Sequence, residues 1–454
     1  MIRLTWVQPE DLVGHELRQS EEEGKDVEAI RSRWLKAGGH LAPPRAGASP
    51  TPPAPHLRAL AEELLTELSQ PPVLWAGVPQ GDGGPPARTE LRVGEGGLNT
   101  ALRHRLHAAW LGRAAGCLLG KPVEKLPLEA IRSLAKATGN WPLCTWFTEK
   151  GLPQELKNTH PWNKRSAHTS LAENIDGMPE DDDLNYPLLN LRLLQRHGKD
   201  FTTTDVARLW LDELPAARTF TAERIAYRNL LTGIEPPHTA THHNPFREWI
   251  GALIRADVHG WTNPGAPTAA AGQARRDASL SHTANGVYGA MFAAATIAEA
   301  AAGTGDVHHC LRAGLTVVPQ DSRLAHAIRH GIQLAHEQAD FDHVVDDLHA
   351  TYGHHHWVHV IPNAALLSAA LTHADGDFTG SITRAVSGGW DTDSNGATAG
   401  SIAGLLAGHP GALPDRWTSP LKNRLASSVP GFDGIGFDTL ADLTTELAQE
   451  RPHP

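Results

Sequence analysis

The sequence predicts an all-α fold, and three observations predict it. From about Thr100 onward, Ala- and Leu-rich segments alternate with short Gly/Pro breaks. Those segments, among them ALRHRLHAAWLGRAAGCLLG, DLNYPLLNLRLLQRHG, GVYGAMFAAATIAEAAAG and NGATAGSIAGLLAG, favour helix by propensity and by apolar period. Alternating β-branched runs are nearly absent, which does not suit a βαβ sheet. No repeat with a period of roughly 20–50 residues stands out.

The N-terminal part has a different texture. Residues 1–40 read as a small acidic helical segment, in which Glu21 to Glu23 precede Val27, Ile30 and Trp34 at helical spacing. The stretch APPRAGASPTPPAP, residues 42–55, carries too much proline for a helix or a central strand and reads as a linker. HLRALAEELLTELS, residues 56–69, is a short amphipathic helix, and residues 71–98 are again rich in Pro and Gly. Residues 1–98 are therefore expected to form an accessory extension, and residues 99–454 the main domain.

Composition narrows the function. The 454 residues, 40% apolar and 20% charged, suit a globular protein with a substantial core. A formal net charge of -11 argues against non-specific nucleic-acid binding, although a local basic pocket would still accept a diphosphate. Three scattered cysteines, Cys117, Cys144 and Cys310, make neither a disulfide framework nor a Cys-based zinc site. The N-terminus has charges where a signal peptide needs an apolar run, and no stretch approaches the ~18 apolar residues of a membrane span. A cytoplasmic location without a membrane partner is the expectation.

Four motifs carry chemistry. The first, PEDDDLNYPLLNL (residues 179–191), places Glu180, Asp181, Asp182 and Asp183 before a helix, with Pro187 expected in its first turn. Acids favour a helix N-terminus, but four adjacent acids repel each other and need a cation to be held together in an interior. The second, VSGGWDTDSNGATAGSIAGLLAG (residues 386–408), sets Asp391, Thr392, Asp393 and Ser394 after a Gly388–Gly389 turn. All-oxygen ligands select Mg²⁺ or Mn²⁺ over zinc. An N-cap explains one of these acids, not both together with the glycine pair. Behind them, Gly396, Gly400, Gly404 and Gly408 recur every four residues. Each Gly costs about 1 kcal/mol of helix propensity relative to Ala, so the pattern predicts a partner helix packed very close, ending where the acids sit. In the third motif, residues 112–127, a helix ends at Gly120, Pro122 stops it, and Glu124 follows in a rigid loop. In the fourth, residues 279–300, His282, Asn285 and Tyr288 open an Ala-rich helix whose positive end suits a phosphate. His282 there is equally well read as a satisfied core histidine.

Together these residues resemble the ADP-ribosylglycohydrolase family. The resemblance rests on Leu119 to Glu124 for a Leu-Gly-x-Pro-x-Glu segment and on Asp181-Asp182-Asp183-Leu184 for a Thr-Asp-Asp-Thr motif. It rests also on His282 to Gly289, and on Gly388 to Ser394 for a Gly-Gly-Asp-Thr-Asp-Ser run into which Trp390 is inserted. The motifs keep the family's order across roughly residues 103–410. The resemblance implies an all-α, mostly orthogonal helical bundle with a dinuclear Mg²⁺ or Mn²⁺ centre. It implies Asp181, Asp182, Asp183, Asp391, Asp393 and Ser394 as metal ligands, and Glu124, Asp182 and Asp393 as catalytic residues. His282, Asn285, Gly286, Tyr288, Gly388, Gly389 and Trp390 are the expected substrate contacts. The implied reaction is hydrolysis at ribosyl C1′ of an ADP-ribosylated macromolecule or a ribosyl-containing small molecule. An N-ribosyl hydrolase of small nucleosides and a non-catalytic ADP-ribose-binding protein on the same fold are the alternatives. Asp181 and Leu184 in place of threonines, residues 242–265 and residues 1–98 all depart from the family pattern and suggest a divergent subfamily.

Overall fold

A computed structural model of the chain describes residues 3–41, 47–69 and 95–449. It is built from α-helices and short 3-10 turns, and among the described residues the only β-type pairings are three isolated bridges. The all-α expectation holds. The Pro/Gly-rich residues 71–94 lie outside the described residues.

Two helices form the centre, Glu95–Gly120 and Thr392–Ala407. They run antiparallel and nearly backbone to backbone. A β-carbon on Gly400 would lie 2.0 Å from the Gly112 carbonyl oxygen, one on Gly116 would lie 1.8 Å from that of Gly396, and one on Gly404 would lie 2.4 Å from that of Ala108. Only glycine permits this approach, so the four-residue glycine period encodes the contact. Gly408 does not belong to the row. It lies past the helix in the left-handed conformation and caps it.

Around this pair the helices are apolar on every side, as helices in the middle of a core must be. Every residue from Val360 to Thr372 is buried in the Val360–His373 helix, and the Ala284–Ala302 helix is buried over most of its circumference. No helix among the described residues is long and apolar enough to cross a membrane.

The N-terminal residues form the helices Pro9–Glu22, Glu28–Lys36 and Pro55–Leu68. The first docks on residues 246–249. Trp6, just ahead of it, meets Phe246 and Trp249 edge-on at 5.5 and 5.9 Å. Arg247, buried, is held by Glu16 at 2.8 Å and Glu23 at 2.7 Å. Gln19 donates to the buried Glu248 at 2.9 Å.

Candidate metal centre

The glycine row fixes where the acids end up. Its last step sets Gly120 against the backbone of Thr392 and Asp393, and the Thr392 hydroxyl donates to the Gly120 carbonyl at 2.8 Å. The start of the Thr392–Ala407 helix therefore faces the end of Glu95–Gly120, where the chain turns through Lys121 to Glu124. Asp391, Asp393 and Ser394 are all buried there. The Asp391 amide donates to Asn363 Oδ1 at 3.1 Å, and Asn395 Nδ2 donates to the same oxygen at 2.7 Å. The turn before them is conformationally expensive. Gly389 and Trp390 both have positive φ, 79° and 55°, and the second is a large L-residue. His349 holds that turn: its ring stacks on Trp390 at 3.8 Å, and its Nε2–H donates to the Gly388 carbonyl at 2.8 Å.

The second acid run joins the same place. Asp181 is the N-cap of the Asp182–His197 helix and accepts the Asp183 amide at 2.9 Å. Pro187 lies inside this helix, the sixth residue from its start, not in the first turn as the sequence suggests. A proline there has no N–H for the carbonyl four residues back, which is that of Asp183. Arg113 supplies the missing donor: its Nε donates to the Asp183 carbonyl at 2.8 Å. The same guanidinium pairs with the Asp183 carboxylate at 3.2 Å and with Asp257 at 2.8 Å, all fully buried. Ser394 Oγ donates to Asp183 Oδ2 at 3.4 Å, so the two acid runs meet directly.

Glu124 completes the group. Asn163 Nδ2 donates to it at 2.7 Å, and Lys125 pairs with it at 2.7 Å. Its charge is felt by Asp182, Asp391 and Asp393. Burial, followed by repulsion from neighbouring carboxylates, pushes Asp182, Asp183 and Asp391 well above the usual carboxylate range, and Asp393 up to about 7. Asp181 is the exception. Burial would raise it as well, but the Lys121 ammonium beside it holds it low.

A scan against protein families matches residues 98–453 to the ADP-ribosylglycohydrolase family. The chain belongs to the ADP-ribosylglycohydrolase family. A solved structure described as an ADP-ribosylglycohydrolase-related protein complex is 21% identical, covers 77% of this chain and 99% of its own, and superposes with a TM-score of 0.48. No curated protein matches the chain. Family membership makes the chain one of a group of glycohydrolases that act on ADP-ribosyl compounds.

Of the residues the family pattern points to, Glu124, Asp181 to Asp183, Asp391, Asp393 and Ser394 lie together. Trp390 is buried, with one ring face covered by His349. The fourth motif is placed differently from the expectation. His282 is buried, hydrogen-bonds Ser281 at 2.8 Å and lies 3.9 Å from Glu223; burial, then the Arg255 charge, drives its pKa well below the ordinary range. The positive end of the Ala284–Ala302 helix already holds an acid: Glu248 accepts from the Asn285 amide at 3.1 Å and from Asn285 Nδ2 at 2.7 Å. The phosphate expected at that amide would have to displace Glu248. Gly286 is small for a packing reason, since a β-carbon there would lie 2.5 Å from the Arg247 carbonyl. Tyr288 is half-buried.

Sequence reasoning missed Arg113, Lys121, Asn363, His349 and Trp357. Arg113 and Lys121 stand inside a quoted motif, and an acid cluster that needs compensating charge is the signal that would have found them. Trp357 is half-buried beside the centre, with Lys125 Nζ 5.6 Å from its ring centroid. A separate donor group, Glu22, His355 and His359, lies where the N-terminal helix docks. His359 Nδ1 accepts the Ile361 amide at 3.2 Å, so its proton sits on Nε2, which faces Glu22 at 3.0 Å. That arrangement suits docking rather than metal ligation.

Proposed function

We propose that this chain is a hydrolase that uses two Mg²⁺ or Mn²⁺ ions to cleave the C1′ linkage of an ADP-ribosylated substrate. The observation that carries the reading is charge. The centre gathers the carboxylates of Asp181, Asp182, Asp183, Asp257, Asp391, Asp393 and Glu124, which among the described residues are faced by the bases Arg113, Lys121 and Lys125. With every carboxylate ionised, as bound cations would require, seven acids less three bases leave four negative charges, which two divalent cations would neutralise. Buried carboxylates without such compensation are costly. The donors are oxygens apart from the buried Cys117 beside Asp181 and Asp183, and burial pushes that thiol well above its ordinary pKa. Oxygens suit hard cations.

Asp182, Asp183, Asp391, Asp393 and Ser394 would hold the ions. When bound, such ions orient a nucleophilic water and the vicinal ribose hydroxyls. Glu124, kept in place by Asn163 and Lys125, takes the proton from the attacking water. The water oxygen adds to C1′ through an oxocarbenium-like state as the leaving group departs with the electron pair of the C1′ bond and takes up the proton held by Glu124. Trp357 offers an aromatic surface next to Lys125 for a base or sugar.

A second reading, hydrolysis of a small nucleoside, is favoured by one observation: Glu248 fills the helix end expected to receive a phosphate. The test is to assay ADP-ribosylated peptides and plain nucleosides side by side, after chelation and after adding back Mg²⁺ or Mn²⁺. Release of ADP-ribose only with metal supports the proposal. Metal-independent turnover overturns it, and turnover of nucleosides alone selects the second reading.

A further inference from the structure

Members of the acid set differ in their basic partners: Arg113 is shared between Asp183 and Asp257, whereas Lys121 pairs with Asp181. Both carboxylate oxygens of Asp181 are already engaged. Oδ1 accepts the Asp183 amide at 2.9 Å, and Oδ2 forms an ion pair with Lys121 Nζ. Both side chains are buried, at 7% exposure for Asp181 and 9% for Lys121. Lys121 is fixed from its backbone side as well, because its carbonyl accepts the Ser166 hydroxyl at 2.7 Å and its neighbour Gly120 is wedged against Thr392. The ammonium therefore stands at a set position inside the acid cluster.

We propose that Lys121 is a built-in counter-ion that withdraws Asp181 from the metal ligand set. On this view Asp181 and Lys121 are positioning residues. The pair caps the Asp182–His197 helix, contributes no net charge, and leaves the ions to Asp182, Asp183, Asp391, Asp393 and Ser394. The inference rests on the two-metal reading above, and it departs from the ligand role that the family pattern implies for Asp181. Its physical basis is that the ammonium already neutralises the Asp181 carboxylate, so a divalent ion on the same group would gain little attraction and would stand close to a buried positive charge. A buried ammonium that has lost its carboxylate would also repel a divalent ion close by.

A double-substitution cycle tests this, with Mn²⁺ binding by calorimetry and metal-free melting temperature as readouts. Asparagine keeps the N-cap, so Asp181→Asn removes charge alone. It should weaken Mn²⁺ binding at least tenfold, because Lys121 is left unpaired. Lys121→Met should tighten Mn²⁺ binding at least threefold, because Asp181 is released, while lowering the metal-free melting temperature. The double variant should bind Mn²⁺ within threefold of wild type and melt above either single variant. A double variant that binds no better than Asp181→Asn overturns the inference and makes Asp181 a ligand in its own right. Unchanged binding in Lys121→Met also overturns it. The melting cycle is read without metal, so it tests the pairing even if one variant binds poorly. Failure of the two-metal reading looks different, because wild type itself would then show no Mn²⁺ binding.

Discussion

Asp183 shows how one residue ties the centre to the fold. Pro187 removes the helical partner of its carbonyl, and Arg113 reaches from another helix to replace that donor while pairing with both Asp183 and Asp257. Removing the guanidinium leaves two buried carboxylates without their partner. Arg113→Met should destabilise the protein by about 3–5 kcal/mol, read by urea denaturation. A loss under 1 kcal/mol would mean that the network is not what holds the two helices in register. Asp391 and Asp393 make the opposite case. Neither has a basic partner as close as the one Arg113 gives Asp183, and their mutual repulsion is relieved by neutralisation. Asp391→Asn and Asp393→Asn should each abolish turnover with melting temperatures near or above wild type in the absence of metal. Full activity at low metal concentration in either variant would contradict the ligand assignment.

At the scale of the element, the glycine row of Thr392–Ala407 sets local propensity against packing. Ala in place of Gly gains about 1 kcal/mol in an isolated helix. At Gly400, however, the new methyl would stand 2.0 Å from the Gly112 carbonyl oxygen, and neither backbone can yield without moving the acids at the helix start. Gly400→Ala should lower stability by roughly 1–3 kcal/mol and weaken Mn²⁺ binding as well. Gly408→Ala is the matched control. Its site is open space, and its left-handed φ of 78° costs about 1–2 kcal/mol with no effect on metal affinity. Equal effects of the two substitutions on metal affinity would show that the close approach does not position the acids.

At the scale of the molecule, the N-terminal helices are stitched to the main domain by buried charge. Arg247 finds both its acids, Glu16 and Glu23, on the N-terminal side, and Glu22 faces His355 at 3.2 Å and His359 at 3.0 Å. The contact also reaches towards the centre, because His359 caps the helix on which Asn363 holds the Asp391 amide. Burial alone would raise the Glu22 pKa, but the two histidines outweigh it and hold the carboxylate well below its usual range. A depressed folded-state pKa stabilises above the unfolded value and loses that contribution as pH falls. Glu22→Gln should therefore cost about 1.5–3 kcal/mol at pH 7. The gap between variant and wild type should shrink steadily below about pH 4.3, the ordinary glutamate value. Urea melts of both proteins between pH 7 and pH 3 check this, and a gap that widens towards acid would refute the pairing.

The sequence by itself determined the helices, the two acid runs and the glycine row, because each is a contiguous or periodic pattern whose physics is local. It also determined that the row needs a close partner, since that propensity cost has no other return. It did not determine which residues neutralise the acids. Lys121 and Arg113 lie on a segment about 60–70 residues from their carboxylate partners, Asp181 and Asp183. Asn363 and His349 reach the Asp391 turn from two other helices. Nor did it place His282 and Asn285, whose polar groups serve equally well for a phosphate or for Glu248. Only tertiary structure decided these, because a side chain's partner is set by which helices cross beside it, and a one-dimensional pattern records the demand for a partner but not its address.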